Sequence, residues 1–259
     1  MGTWKSGARV ILLAALGSAG GCGQEDGATP GEVDPLRGRT FLLQSSEGFQ
    51  ALPGTTVRLG FSDDDASFNA GCNSYSGPYQ LKNGVLSVAR FGSTEIGCDA
   101  PLHQQDDWIA TFIEGGPRLT LRGNDLTLDG AGAKLVFLDR IVADPDRPLV
   151  GTPWTVDTYF SGGAASTFLV SKEPRFTLGI DGRVQIETAC NTGTGAFVNA
   201  GAKLTLKNVA YTSNPCAGNE RQADQQLQAV LADGELSVKI VADRLTLMRG
   251  ELGVGARTP

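Results

Sequence analysis

The stretch "GCNSYSGPYQLKNGVLSV", Gly71 to Val88, recurs in altered form as "ACNTGTGAFVNAGAKLTL", Ala189 to Leu206. The two lie 118 positions apart. At that offset Cys72-Asn73 falls on Cys190-Asn191, Gly77 on Gly195, Tyr79 on Phe197 and Leu86 on Leu204. The same offset carries Thr94 onto Thr212 and Cys98 onto Cys216. A self-match at fixed spacing is the signature of a repeated structural unit. Further out the register slips by small gaps. There "LRGRTFLL" from Leu36 faces "LVGTPWTV" from Leu149, and "NDLTLDG" from Asn124 faces "DRLTLMRG" from Asp243. The chain therefore divides into a first unit over residues 36–139, a charged, proline-bearing linker over 140–148, a second unit over 149–252 and a tail over 253–259.

Within each unit the apolar residues recur mostly every second position, as in "GVLSVARF" (Gly84 to Phe91), "KLVFL" (Lys134 to Leu138), "RFTLGI" (Arg175 to Ile180) and "RVQIET" (Arg183 to Thr188). That period belongs to half-buried strands. Asn83-Gly84 and Asp181-Gly182 read as type I′ hairpin turns. One segment per unit breaks the alternation. "PLHQQDDWIATFIEGG" (Pro101 to Gly116) sets Trp108, Ile109, Phe112 and Ile113 at helical spacing, and "NERQADQQLQAVLADG" (Asn219 to Gly234) does the same with Leu227, Val230 and Leu231. The expectation is a mainly β (α+β) chain of two units. Each is a small antiparallel, barrel-like sheet of seven or eight short strands with one amphipathic helix. Trp108 and Trp154 are expected in the cores.

Four cysteines fall within the units and allow three pairings. Each unit should be able to fold alone, which selects Cys72–Cys98 and Cys190–Cys216. A four-cysteine metal site would show close pairs such as C-x2-C, and the sequence has none. No metal or cofactor is expected.

The N-terminus has the pattern of an export signal over residues 1–21: Lys5 and Arg9, then the apolar run from Val10 to Gly21. That run is shorter than the roughly 20 apolar residues a spanning helix needs. "SAGGC" (Ser18 to Cys22) resembles a bacterial lipobox, with Ala19 where leucine is usual. The resemblance implies lipidation of Cys22 and anchoring through acyl chains. With Gly23 following, it also implies a place in the cell envelope at the outer membrane, facing periplasm or surface. An ordinary cleaved signal with an incidental Cys22 is the alternative. Residues 22–35 are acidic and rich in Gly and Pro, a flexible tether. Once Lys5 and Arg9 are removed, the 22 basic residues fall to 20 against 28 acidic ones. No basic stretch marks a nucleic-acid partner.

A unit with "GCNSYSGPY" on an early hairpin, "STEIGC" (Ser93 to Cys98) some twenty residues later, then a helix and "LTL" strands resembles the META domain, the HslJ-type fold. The resemblance spans the whole first unit and, more weakly, the second, where Gly193 replaces Tyr75 and Phe197 replaces Tyr79. The family's opening tryptophan is Phe41 in the first unit and Trp154 in the second, and its "T-x-M-x-C" is "TEIGC" and "TSNPC". The resemblance implies that Gly71, Asn73, Gly77, Tyr79, Asn191 and Gly195 are structural family positions. It also implies an association with heat shock and antibiotic tolerance in the envelope.

Outside that motif the candidates are few. Asp63, Asp64 and Asp65 cluster in "FSDDDASF" and could bind a cation, although a solvated hairpin tip accounts for them as well. Tyr75 is a second possible binding residue. His103 is the only histidine and opens a helix as a surface residue, so a Ser-His-Asp set would be absent from the second unit. No acid, base and nucleophile converge, and no catalytic residue is assigned. Two function classes remain: a non-enzymatic lipoprotein that binds an envelope protein partner, and a small-ligand carrier using the barrel interior.

Overall fold

The alternating segments of the first unit become strands in the computed structural model, which describes Met1, Gly2 and residues 34–258. Most of the expected signal segment, Cys22 and nearly all of the expected tether lie outside the described residues. The order is β1 (Thr40–Glu47), β2 (Arg58–Phe61), β3 (Asp65–Asn69), β4 (Ser74–Lys82), β5 (Val85–Val88), β6 (Gly92–Ser93), α1 (Ala100–Glu114), β7 (Arg118–Arg122), β8 (Asp125–Gly130) and β9 (Ala133–Asp139). Each of β1 to β4 pairs antiparallel with the next, β5 pairs with β7, β7 to β9 continue the meander, and β9 returns to β1. Eight strands thus close on themselves, and β6 attaches to β4 as a ninth.

A four-residue helix follows, α2 (Arg140–Ala143), capped by the Asp139 side chain accepting from Ile141 N–H at 3.0 Å. The expected linker is therefore helical in its first part. Its remainder is bonded to the second unit: Arg147 N–H donates to Ala242 O at 2.9 Å, and Ala242 N–H donates to Asp146 Oδ1 at 2.8 Å. The same carboxylate oxygen accepts from Arg140.

The second unit repeats the plan with β10 (Pro153–Ser161), β11 (Ala164–Ser166), β12 (Arg175–Leu178), β13 (Arg183–Glu187), β14 (Thr192–Asn199), β15 (Lys203–Tyr211), α3 (Gly218–Val230), β16 (Gly234–Val241), β17 (Arg244–Arg249) and β18 (Leu252–Arg257). Strand β18 pairs with both β17 and β10 and closes the second ring. This corrects the expected boundary at 252, since most of residues 253–259 form a strand and not a tail. "LGVGAR" hides its nature because Gly253 and Gly255 look like linker residues. A Cβ at Gly253 would overlap the Met248 sulfur, and one at Gly255 would lie 3.0 Å from Thr158 Cβ. The glycines let β18 fit between its neighbours.

Eight-stranded barrels are just wide enough for side chains to fill. Alternation delivers those side chains. Ala66 and Phe68 of β3, Leu126 and Leu128 of β8, and Leu135 and Phe137 of β9 point into the first core, joined by Ile109, Phe112 and Ile113 of α1. The second core takes Trp154, Phe176, Leu178, Val184, Ile186, Leu245, Leu247 and Val254 with Leu227 and Val230 of α3. Trp154 is fully buried and its indole N–H donates to Leu149 O at 3.2 Å.

Three further expectations need correction. Trp108 is half-buried at the core's edge, stacked on Phe49 at 4.3 Å and on Phe112 at 5.3 Å. Asn83-Gly84 has positive φ at both residues, as type I′ requires, but at the other turn only Gly182 does. There Gly179 N–H donates to Arg183 O, the Asp181 carboxylate accepts from Arg183 N–H, and Ile180 stands out in solvent at the tip. His103 is half-buried, and its Nε2 accepts the Cys98 N–H at 3.2 Å at the start of α1. Among the described residues, no helix is long and apolar enough to cross a membrane.

Candidate functional site

The repeated Cys-Asn pair sits at the corner where the chain leaves β3 and enters β4. In the first unit Asn73 is 4% exposed, and its Oδ1 accepts from the Thr94 hydroxyl at 2.9 Å and from Ile96 N–H at 2.8 Å. Ser74 N–H donates to the Thr94 hydroxyl at 3.1 Å. The second unit reproduces this bond for bond. Asn191 Oδ1 accepts from the Thr212 hydroxyl at 3.0 Å and from Asn214 N–H at 2.7 Å, and Thr192 N–H donates to the Thr212 hydroxyl at 3.1 Å. Beside each clamp runs a disulfide, Cys72–Cys98 and Cys190–Cys216, with Cα atoms 6.1 and 6.0 Å apart. Asparagine suits the position because one amide oxygen can accept twice from a neighbouring extended segment.

A residue pair absent from the sequence reading completes the corner. Asp106 on α1 and Asp224 on α3 are buried and stand at the repeat's own offset. Asp106 Oδ2 accepts from Asn73 N–H at 2.7 Å. Asp224 accepts from Asn191 Nδ2 at 3.1 and 3.2 Å, from the Thr188 hydroxyl and from Gln228 Nε2 at 2.7 Å. Each helix thus holds the motif corner from below through a carboxylate. The 118-residue spacing that aligned the motif would have found both.

The glycines have separate reasons. Gly71 has φ +133°, a conformation that favours glycine. Gly77 and Gly195 sit where the strand pair bulges. A Cβ at Gly77 would drive into the Arg90 carbonyl oxygen, and one at Gly195 would lie 2.8 Å from Val209 Cγ2. The pairing of β14 with β15 shifts register between Thr194 and Ala196.

The tyrosines pack. Tyr79 meets Phe61 edge-on at 5.2 Å. Tyr75 stacks on Phe68 at 4.4 Å and lines a shallow surface groove of about 190 Å3 with Arg58, Ser67 and Asn69. The second unit does not lose this ring but moves it across the ladder. Tyr75 pairs with Ser93 in the first unit, and Gly193 pairs with Tyr211 in the second. A Cβ at Gly193 would lie 2.5 Å from the Tyr211 ring. Burial pushes the Tyr211 hydroxyl well up, with Asp224 adding to the shift, and it donates to Leu231 O at 3.2 Å. Burial likewise raises Tyr159 to about 12, again with Asp224 adding.

The aspartate cluster does not converge. Asp63 at the β2–β3 tip pairs with Arg37, while Asp65 enters β3. Among the described residues, the one group of three potential metal-ligating side chains lying within 4.8 Å is Cys190, Cys216 and Asp224. Its two sulfurs are joined to each other, which removes them as thiolate ligands. What the motif residues form is a brace. It fixes the extended segment after β5 or β15 alongside β4 or β14.

The META domain family model matches residues 34–141 and again residues 147–257. Heat shock protein HslJ of Escherichia coli (strain K12) is 28% identical over 109 residues, which is 40% of this chain and 76% of HslJ. One NMR structure is 26% identical, covering 41% of this chain and 95% of its own, at a TM-score of 0.35. Another, of a protein from Burkholderia xenovorans, is 23% identical, covering 46% and 98%, also at a TM-score of 0.35. Two consecutive matches that span most of the sequence, each enclosing one braced barrel, place the chain in the META domain family as a tandem pair.

Proposed function

We propose that this chain is a non-catalytic lipoprotein of the bacterial envelope whose two barrels present surfaces for binding another protein, in the service of stress or antibiotic tolerance. The supporting observation is that both barrel interiors are filled by apolar side chains, while the motif's polar groups are bonded within each barrel. A filled interior argues against the small-ligand carrier. A site without a paired nucleophile and base argues against an enzyme. The anchor at Cys22 rests on the lipobox resemblance and the tether that follows it, and the outer-membrane location on Gly23 at the next position. The stress role rests on the likeness to a protein named for heat shock.

The test is crosslinking in intact cells with the wild-type chain and Cys22→Ala, together with labelling by a radioactive fatty acid. The expected result is a label that depends on Cys22 and one specific envelope protein crosslinked to the anchored form. A small molecule retained through purification, with no protein crosslinked, would overturn the reading.

A further inference from the structure

The segment that the motif holds beside β4 is bonded on one side and open on the other. Thr94 N–H donates to Ser74 O at 3.0 Å and Ile96 N–H to Asn73 Oδ1 at 2.8 Å, so these groups face β4. Strand alternation turns the N–H groups of Phe91, Ser93, Glu95 and Gly97 the other way. Gly92 to Gly97 are all exposed, and among the described residues those four N–H groups make no hydrogen bond.

The second barrel stops the same edge at both ends. Val209, the counterpart of Phe91, donates its N–H to Asp233 Oδ1 at 2.7 Å, and Asn208 donates to Oδ2 at 3.0 Å. At the other end Pro215 stands where the first barrel has Gly97, and proline has no N–H to offer. The first barrel has Gly115 in the place of Asp233. Prolines and charges are the usual means of closing a strand edge to other chains. Of two barrels whose Asn–Thr clamps match bond for bond, one closes its edge and the other leaves it open.

We propose that Phe91 to Gly97 is a strand-addition site, where an extended segment of a partner protein pairs antiparallel with the first barrel. The inference rests on the protein-binding function proposed above and supplies its site. The occupant is a polypeptide because alternating N–H and C=O groups along an extended edge match the backbone of another strand. Glu95 is the only charged residue of the segment and Ile96 is 54% exposed. A partner strand with a lysine or arginine opposite Glu95 and an apolar residue beside Ile96 fits the edge. A second copy of this chain fits poorly, since it would bring two Glu95 carboxylates into one short ladder.

The test selects phage-displayed random dodecapeptides against the full-length protein, then follows amide hydrogen exchange as the tightest binder is titrated in. The expected result is slowed exchange at Ser93 and Glu95, with no change at Tyr211 and Ser213. Gly97→Pro should weaken binding by about threefold to tenfold, the cost of one backbone hydrogen bond. Adding Gly115→Asp should weaken it further. Both substitutions copy residues that the second barrel carries, and a thermal melt verifies that the fold is kept. A binder that protects other amides, or that is indifferent to both substitutions, overturns the site while leaving protein binding intact. Concentration-dependent protection of the edge without peptide assigns it to a second copy and overturns the partner. Failure to select any binder, with a small molecule carried through purification, overturns the wider function as well.

Discussion

Asn73 and Asn191 each bind two donors on a segment more than twenty positions away in sequence, and each is almost fully buried. Replacing Asn73 by alanine leaves the Thr94 hydroxyl and Ile96 N–H without their acceptor. The expected loss is about 1–3 kcal/mol, confined to the first barrel. Urea unfolding read separately at Trp108 and Trp154, one in each barrel, measures it. A shift in the Trp154 transition would contradict a local brace. Gly77 and Gly92 form a second pair of tests. Gly77→Ala forces a methyl against the Arg90 carbonyl, whereas Gly92→Ala meets nothing nearer than 3.8 Å. The first should cost about 2 kcal/mol or more and the second less than about 1 kcal/mol. At this scale the sequence was readable where repetition marked a position, as with Cys, Asn, Thr and Gly of the motif. Asp106 escaped because "QQDDW" shows two acids side by side on a polar run. Nothing local says which of them turns under the β3–β4 corner; the packing of α1 decides it.

Among elements, most strands and the two long helices, α1 and α3, followed from periodicity, because strand and helix periods place apolar residues on one face whatever the neighbours are. The misread pieces were those whose role depends on a neighbour. Strand β18 looked like a tail because its glycines, required by the close approach of Met248 and Thr158, imitate a linker. Trp108 shares the helical stripe of Ile109 and Phe112 but lies at its margin, where Phe49 covers it. The disulfides act at this scale as well. Each closes a loop of 26 residues, and the chain-entropy model gives about 3.5 kcal/mol for a loop of that length. Changing Cys72 and Cys98 together to serine should lower the first barrel's stability by up to that amount and leave the second barrel's denaturant midpoint in place. Equal shifts in both transitions would mean that the barrels unfold as one unit.

On the scale of the whole molecule, the linker is built to hold. Burial alone would raise the Asp146 carboxyl, but the Ala242 N–H and the Arg140 guanidinium outweigh it and hold it below the ordinary aspartate value of 3.8. A carboxyl depressed in the folded state contributes stability above its unfolded value and loses it as pH falls through the folded one. The Ala242 amide resonance should therefore stay constant down to mildly acidic pH and move with a midpoint below 3.8. In Asp146→Asn that movement should vanish. A midpoint at or above the ordinary value would show that the carboxylate does not grip the hairpin.

In each barrel the first strand lies against the last, β1 on β9 and β10 on β18. Entrance and exit of the polypeptide are therefore neighbours, and a gene segment encoding one barrel can be copied in line without threading one fold through the other. The same adjacency means that joining Arg257 back to Leu149 by a bridge, and opening the chain at the exposed β14–β15 turn, should yield a permuted second barrel that keeps its wall and the Leu149 acceptor of Trp154. Such a fold is a ring whose break is a matter of ancestry, and that leaves the two copies free to diverge at their rims.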